Sequence, residues 1–341
     1  MMREPARLLV GIGQGQVGSH VRSEIPEDDF RERAVDIRRI HVVGAGAIGS
    51  VLAGKLARSE GLDVTLVGSS EHWRAVRGSG LILHEGTRSE PCVRLKAEGL
   101  DSISPIGESD CVILACKLTG LERIASFLQD RVSPHAPLLA IQNGLGVDDL
   151  IAALFGRIPE RALLYFGALV EEPGRVRYFP GRIRVRASAE GREFARLLGE
   201  HIPCEIETDF RAAEWAKLAI NCVANPLAGI LRVPNGPLAD HALDPLKGAL
   251  LAELKAVAAA EGIALKTSVE EFNAYICGPT GGNTPSMAVD LARRSPTEIE
   301  FLNGAVERLG RKHGVATPVN TAIASAIRFL SARSSAVDCA S

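Results

Sequence analysis

The stretch VVGAGAIGS at residues 42–50 is the strongest indication of the fold, because its three glycines have the spacing G-x-G-x-x-G. The run RRIHVV, which ends at Val43, predicts a buried strand, and AIGSVLAGKLARSEG predicts the helix that follows. A second apolar run, VTLVG, begins at Val64. Strand, glycine turn, helix and second strand make a βαβ unit, in which the helix N-terminus faces the pyrophosphate of a dinucleotide.

An earlier copy of the same spacing lies in GIGQGQVGSH at residues 11–20. It is followed by VRSEIPEDDFRERAVD, which contains a proline, a cluster of acids and no apolar helix face. Spacing without a strand and a helix does not make a nucleotide site. We therefore expect residues 1–37 to be a disordered N-terminal extension, which a misplaced start codon would also produce; a functional second site is the alternative.

Further short apolar runs follow the βαβ unit at LILH, CVILAC and PLLAIQNG, which begin at Leu81, Cys111 and Pro137. They lack polar alternation, which indicates strands covered on both faces. Strands that alternate with helices predict an α/β fold, with a doubly wound Rossmann domain over residues 38–207. From residue 208 to 332 the apolar residues recur at helical intervals, which predicts an all-α second domain. Residues 333–341 are expected to be a frayed tail.

The composition of the chain argues against nucleic-acid binding, membrane insertion and metal binding. Lys and Arg (39) nearly balance Asp and Glu (41), so no net field attracts nucleic acid or a membrane surface. No apolar run approaches the ~20 residues of a membrane span. The seven cysteines show no C-x-x-C or metal spacing. We expect a cytoplasmic protein with reduced thiols and with neither a metal site nor a nucleic-acid or membrane partner.

The glycine turn and the end of the second strand predict the cofactor. The turn residues expected to bind it are Gly44, Ala45, Gly46, Ala47, Ile48 and Gly49. NAD enzymes usually place a carboxylate after the second strand, whereas Ser69 and Ser70 stand here and both Arg74 and Arg77 are in range on the next helix. This favours NADP, with Ser69 and Arg74 beside the 2'-phosphate. The alternative is that the glycines serve only close helix–strand packing.

A polar stripe marks the second half of the chain. In EWAKLAINCVANPL, Lys217, Asn221 and Asn225 recur every four residues and so share one helix face. Each alone could be a solvated or locally paired side chain, but together they favour the wall of a polar pocket. Pro226 predicts that the helix ends or kinks just beyond Asn225.

The run EWAKLAINCVANPLAGILRVPNG resembles the signature of the ketopantoate reductase (2-dehydropantoate 2-reductase) family. IQNGLG, ACK and NTPSMAVDLARRSPTEIEFLNG match further motifs of that family, and the similarity covers about residues 38 to 330. The resemblance implies NADPH-dependent reduction of 2-dehydropantoate to (R)-pantoate in pantothenate biosynthesis. One departure concerns the 2'-phosphate contact: an arginine often follows the second strand in this family, where this chain has Ser69.

The resemblance also implies roles for single residues. Lys217 matches the catalytic acid, and Glu298 the carboxylate that holds and places the substrate hydroxyl. Lys117 and Asn143 match positions near the nicotinamide and its ribose. The residues that match the substrate site are Asn221, Asn225, Asn235, Asn283 and Ser286.

Physical chemistry supports Lys217 independently. Hydride reduction of a ketone creates an alkoxide, which an ammonium both stabilises and protonates. Burial in an interdomain cleft would lower the pKa of such a lysine. Other roles have local alternatives. Glu298 could close a capping box with Ser295, Ser286 could be a first-turn residue, and Asn143 could serve turn chemistry.

Three other functions fit the same patterns. A paralogous reductase would act on another branched 2-oxo acid, because scaffold residues do not fix the substrate. A regulator would bind NADP(H) without turnover, and an opine-type dehydrogenase would need an amine co-substrate. The expected partner is a small 2-oxo acid; a homodimer is left open.

Overall fold

The structure is a computed structural model that describes residues 37–86, 88–278 and 281–336, with side chains described as far as residue 332. The first glycine spacing and the predicted N-terminal extension, apart from Ile37, lie outside the described residues. Residues 333–336 of the predicted tail belong to the last helix, so the prediction that the tail begins at residue 333 was wrong; residues 337–341 lie outside the described residues. The N-terminal extension and the rest of the tail remain predictions.

The first half of the described chain alternates strands and helices. Its elements are β1 (Arg39–Val43), α1 (Ala47–Leu56), β2 (Asp63–Gly68), α2 (Glu71–Ser79), β3 (Ile82–Glu85), β4 (Arg88–Ser89), β5 (Lys96–Gly99), β6 (Asp110–Leu114), α3 (Leu121–Leu128), β7 (Leu138–Ala140), α4 (Val147–Phe155), β8 (Glu160–Glu172), β9 (Arg175–Arg186), α5 (Ala189–Gly199) and β10 (Cys204–Glu207).

The second half is helical in its described residues. Its helices are α6 (Phe210–Leu231), α7 (Asp244–Ala260), α8 (Val269–Ile276), α9 (Ser286–Ala292), α10 (Asn303–His313) and α11 (Pro318–Ala336). The predicted fold class, a Rossmann α/β domain followed by an all-α domain, is confirmed. The boundary predicted between residues 207 and 208 lies between β10 and α6.

The parallel part of the sheet has the strand order β5-β2-β1-β6-β7-β8. Strand β1 pairs in parallel with β2 on one side and with β6 on the other. All five residues of β6 are buried, as expected for a strand covered by helices on both faces. Because the chain order reverses between β1 and β6, a crevice opens there at the carboxyl ends of the strands.

A long antiparallel hairpin, β8 and β9, extends the sheet beyond its parallel part. The pairing is irregular between Tyr165 and Gly167, where Phe166 of β8 lies opposite Pro180 and Gly181 and β9 therefore bulges. The run LILH forms most of β3, which pairs with β9 instead of with the Rossmann strands. Bulges redirect side chains, and this one lies opposite Phe166 on β8, the strand that lines the site described below.

Helix α6 continues through Pro226 to Leu231, so the prediction that it could end just beyond Asn225 was wrong. Proline has no N–H and leaves the carbonyl four residues earlier, that of Cys222, without its helical donor. Asn303 Nδ2 donates to Cys222 O at 3.0 Å and to Asn320 Oδ1 at 3.0 Å. A side chain from α10 therefore replaces the missing bond, and the helix continues.

The core of the helical half centres on α6, where Leu218, Cys222 and Val223 are fully or almost fully buried. Helix α11 begins where the Glu253 carboxylate accepts the backbone N–H groups of Val319 and Asn320 at 2.8 and 2.9 Å. Within the described residues, no helix combines the length and apolar character needed to cross a membrane.

Candidate functional site

The three glycines of the turn after β1 do different things. Gly44 has φ +119°, and a Cβ there would lie 2.4 Å from the backbone nitrogen of Cys116. A Cβ on Gly49 would lie 2.0 Å from Gly44 O. A Cβ on Gly46, in contrast, would meet nothing within 4 Å. Close packing therefore explains the first and third glycines, whereas the second leaves open space at the N-terminus of α1, which fits a pyrophosphate.

The ends of β6 and β7 meet the glycine turn. Ala115 N donates to Val43 O at 2.8 Å, and Gln142 Nε2 donates to Leu114 O at 2.9 Å and Cys116 O at 3.1 Å. These bonds place Lys117 and Asn143, the next residues along each segment, at the crevice. Both are candidates from the sequence.

Lys117 reaches across to the helical half. Its side chain is 48% exposed, and its ammonium forms an ion pair with Asp290 of α9, which is 7% exposed. Burial raises the pKa of Asp290, and the ammonium opposes that shift. This ion pair joins the end of β6 to the helix that begins with Ser286.

The end of β2 presents Ser69 and Ser70 to solvent. Ser70 Oγ accepts the backbone N–H of Trp73 at 3.1 Å and so caps α2. Arg74 Nη1 donates to Ser69 O at 3.4 Å, whereas the Arg77 guanidinium lies 5.4 Å from the centroid of the Trp73 ring. Ser69 and Arg74 are therefore neighbours at the edge where a ribose 2'-substituent would lie.

A cavity of about 180 Å³ lies between β8, α6 and the loops around them. It is smaller than the roughly 300–1,000 Å³ typical of sites for drug-sized ligands. Its lining residues are Ile48, Asn143, Leu164, Tyr165, Phe166, Gly167, Ala168, Lys217, Ile220, Asn221, Ala224, Asn225, Asn235, Tyr275, Ile276, Asn283, Pro285 and Ser286. The site is thus small and lined about equally by polar and apolar surface, with one ammonium, several amides and a hydroxyl.

The cavity brings together most of the catalytic and substrate-site residues predicted from the sequence. All five substrate-site candidates line it, together with Lys217, Asn143 and Ile48. Its lining does not include Lys117 or Glu298, which lie beside each other at the end of β6. Asn143 and Ile48 connect the cavity to the glycine turn, so it opens toward the crevice.

Lys217 is 8% exposed and faces β8. Its Nζ donates to Leu164 O at 2.7 Å and lies 5.3 Å from the centroid of the Tyr165 ring. Burial lowers the pKa of Lys217 to about 7; the Arg161 guanidinium acts in the same direction, and the Glu214 carboxylate opposes it. The ammonium is thus poised to lose its proton near neutral pH.

The amides of the cavity come from separate segments that backbone bonds hold together. Asn235 N donates to Asn283 O at 3.0 Å, and a Cβ on Gly167 would lie 3.0 Å from Asn283 Nδ2. Among the described residues, Asn221 Nδ2 is buried without a hydrogen-bond acceptor. A buried donor of this kind can bind a ligand oxygen.

The capping-box alternative for Glu298 was wrong. Ser295 N donates to Asp290 O at 2.8 Å, and Glu298 Oε1 accepts the backbone N–H of Leu118 at 2.9 Å. Burial raises the pKa of Glu298, while the Leu118 N–H and the Lys117 ammonium act against that shift. Glu298 therefore faces the end of β6.

Ser286 and Asn143 each have the local role that the sequence offered, in a helix first turn and in a glycine turn, and each also lines the cavity. Ser286 is the first residue of α9 and also lines the cavity. Asn143 precedes Gly144, whose φ is +106°; a Cβ added to Gly144 would lie 2.4 Å from Phe301 O. Turn geometry and exposure to the cavity coexist at both positions.

Sequence reasoning missed the aromatic wall of Tyr165, Phe166 and Tyr275. These residues stand in apolar runs that resemble ordinary core segments. It also missed Asp290 as the partner of Lys117, and Arg161, which is 1% exposed. A lone arginine that opens the apolar run RALLYFGALV is the signal that could have identified Arg161.

Comparisons with known proteins agree on one family. A family model described as ketopantoate reductase PanE/ApbA matches residues 40–189, and its C-terminal counterpart matches residues 209–331. The 2-dehydropantoate 2-reductase of Pyrococcus horikoshii is 30% identical over 292 residues, which cover 83% of this chain and 94% of that protein.

Solved structures give the same result and add a second substrate class. A PanE/ApbA family ketopantoate reductase from Ralstonia eutropha has a TM-score of 0.78 at 28% identity, covering 87% of this chain and 99% of that one. D-mandelate dehydrogenase in complex with NADH and anilino(oxo)acetate has a TM-score of 0.76 at 26% identity, with the same coverage.

Proposed function

Because the chain belongs to the ketopantoate reductase family, we propose that it reduces 2-dehydropantoate to (R)-pantoate with NADPH, in pantothenate biosynthesis. As a member of this family it is an oxidoreductase that acts on a CH–OH group and uses a nicotinamide dinucleotide. The observation that carries the proposal is the cavity, in which Lys217 and the asparagines face Ile48 of the glycine turn.

The chemistry divides between cofactor and protein. NADPH supplies the hydride when bound. The open backbone at Gly46 and the N-terminus of α1 would hold its pyrophosphate, and Lys117 and Asn143 would lie near the nicotinamide and its ribose. Lys217, oriented by Leu164 O, donates a proton to the oxygen at C2 as negative charge develops there.

The cavity walls suit a small branched 2-oxo acid. Amide and hydroxyl groups bind a carboxylate and a hydroxyl without adding charge, and Asn221 Nδ2 is a donor available for this. Phe166 and Ile220 offer apolar surface to the branched carbons. We propose that Glu298 approaches the substrate hydroxyl from the end of β6 and helps to place it.

The D-mandelate dehydrogenase likeness favours a second candidate, a paralogous reductase of another branched or aromatic 2-oxo acid. The aromatic rings of Tyr165 and Tyr275 in the cavity support it. Steady-state kcat/KM values with NADPH for 2-dehydropantoate, 3-methyl-2-oxobutanoate, benzoylformate and pyruvate separate the two. We expect 2-dehydropantoate to be preferred at least tenfold; equal or better turnover of benzoylformate would select the second candidate.

The NADP preference is tested at the end of β2. Arg74→Ala should raise the KM for NADPH about tenfold, because a guanidinium–phosphate contact is lost, and should leave the KM for NADH unchanged. Arg77→Ala, whose guanidinium lies over Trp73, is the matched control and should change neither KM. Equal effects of Arg74→Ala on both cofactors would remove Arg74 from the 2'-phosphate site.

Two further candidate functions are checked directly. A regulator that only senses NADP(H) would bind the cofactor without oxidising it, so loss of NADPH absorbance on addition of 2-oxo acid, without any amine, argues against both a sensor and an opine-type dehydrogenase. The homodimer stays a prediction, which sedimentation velocity checks.

A further inference from the structure

A buried arginine connects the two halves of the proposed site. Arg161, the second residue of β8, is 1% exposed, although it does not line the cavity. Its Nη2 donates to Gln142 O at 3.1 Å and forms an ion pair with Glu214 Oε1 at 3.1 Å. Its Nη1 contacts Asp148 Oδ1, at the start of α4, at 3.0 Å.

Two of these contacts, with Gln142 and Glu214, border residues of the proposed site. Gln142 O belongs to the peptide group that it shares with Asn143. Glu214 lies three residues before Lys217 on α6, and so on the same side of the helix. The planar guanidinium can donate in several fixed directions at once, which suits it to hold two segments at a set distance.

We propose that Arg161 is a positioning residue, which fixes the Lys217 ammonium relative to Asn143 and, with Glu214, sets the charge around that ammonium. The inference rests on the proposed role of Lys217 as the acid of the reaction. Arg161 acts through Gln142 and Glu214 and touches neither substrate nor cofactor.

Arg161 and Glu214 should shift the pKa of Lys217 in opposite directions, which makes the proposal testable. The Arg161 cation lowers the pKa of Lys217 and the Glu214 carboxylate raises it, although burial is the largest cause of the shift. Among the described residues, the other titratable groups that face Lys217 are the phenols of Tyr165 on β8, 5.3 Å away at its ring centroid, and of Tyr275 on α8, across the cavity. Burial raises the pKa of both phenols, so they remain neutral.

The charged groups behind Arg161 supply a matched control. Arg186 Nη2 contacts the second oxygen of the same Asp148 carboxylate at 3.1 Å. Among its described contacts there is neither one with Gln142 nor one with Glu214 at ion-pair distance. Arg186→Met therefore removes an arginine from the same cluster without removing a contact of the proposed connection; burial raises the pKa of Glu214, and the Arg161 and Arg186 charges both oppose that shift.

The test compares Arg161→Met, Glu214→Gln, their combination and Arg186→Met in the full chain. The turnover rate for reduction of the oxo acid should fall on the alkaline side as Lys217 loses its proton. We expect Arg161→Met to move this fall to higher pH by about one unit and Glu214→Gln to move it to lower pH. The double variant should lie between the two, and Arg186→Met should not move the fall.

The same variants separate positioning from a general loss of structure. Arg161→Met should lower kcat at least tenfold at the pH optimum while the KM for NADPH changes less than threefold. Thermal unfolding of each variant checks that it is folded. If Arg161→Met does not fold, Glu214→Gln decides. A decrease in the pH at which kcat falls supports the proposal, whereas no change or an increase in that pH overturns it.

A readout without turnover separates this proposal from the proposed function. The 15N resonance of Lys217 Nζ, assigned by its loss in Lys217→Ala, gives the pKa of this group directly. Opposite displacements in Arg161→Met and Glu214→Gln support the electrostatic role of the pair even if no tested 2-oxo acid is reduced. Equal displacements, or none, in an enzyme that does reduce the acid overturn the inference and leave the proposed function standing.

Discussion

Two lysines in the helical half of this molecule are buried to a similar degree but differ in their surroundings. Lys247 is 0% exposed; its Nζ donates to Leu238 O at 2.9 Å, Asp240 O at 3.2 Å and Asn273 Oδ1 at 2.6 Å. It also forms an ion pair with Asp244 Oδ1 at 2.7 Å. Among the described residues, the Lys217 ammonium donates only to Leu164 O and faces a cavity.

The difference shows what separates a structural lysine from one available for chemistry. An ammonium has three donors, and at Lys247 the described acceptors outnumber them. At Lys217 two donors remain for a ligand, and no described carboxylate lies at ion-pair distance to hold the charge. Burial therefore lowers the pKa of Lys217 to about 7, whereas Lys247 ties the loop that carries Asn235 to α7 and α8.

Removal of Lys217 should have the largest effect on activity. Lys217→Ala should slow reduction of the oxo acid about 10²–10⁴-fold in kcat, the usual contribution of a positioned proton donor. The dissociation constant of NADPH, measured by fluorescence, should change less than threefold, because Lys217 serves the substrate carbonyl. A loss of kcat below tenfold would mean that another group protonates the alkoxide.

The protonation state of Lys217 should make the rates of reduction and oxidation depend on pH in opposite directions. Reduction needs the Lys217 ammonium, so kcat should fall about tenfold per pH unit above a pKa near 7. Oxidation of the 2-hydroxy acid needs the neutral amine, so its kcat should rise with pH over the same range. Rates that move in the same direction for both reactions would contradict the assignment of Lys217 as the acid and base.

The part of the site that residue patterns alone predicted, without the family resemblance, lies within two short segments of the chain. The glycine turn follows from strand, spacing and helix within one βαβ unit, and open space at Gly46 agrees with it. Lys217, Asn221 and Asn225 follow from helical periodicity, and all three line the cavity. Both patterns rest on local geometry, which holds before any tertiary contact forms.

What the sequence could not predict depends on partners far along the chain. Glu298 fits a local capping rule by its spacing but accepts from Leu118, 180 residues away. Helix α6 passes Pro226 because Asn303, 81 residues from Cys222, supplies a donor. Lys117 pairs with Asp290 at a separation of 173 residues. Tertiary contacts override local rules at such positions, and no spacing in the sequence marks them.

Replacement of Lys247 should affect stability and leave activity nearly unchanged. Lys247→Met should lower the free energy of unfolding by about 2 kcal/mol, because Leu238 O and Asp240 O lose a buried donor. Denaturant unfolding measures this change, and Lys266→Met, at an exposed lysine, should change it by less than about 0.5 kcal/mol. The kcat per folded molecule should stay within threefold of the unmodified enzyme, because the Lys247 ammonium is satisfied by the protein itself. A large loss of kcat in a stable Lys247→Met protein would mean that Lys247 takes part in the reaction although its donors all have acceptors within the protein. The number of unpaired donors would then not separate a structural lysine from a catalytic one.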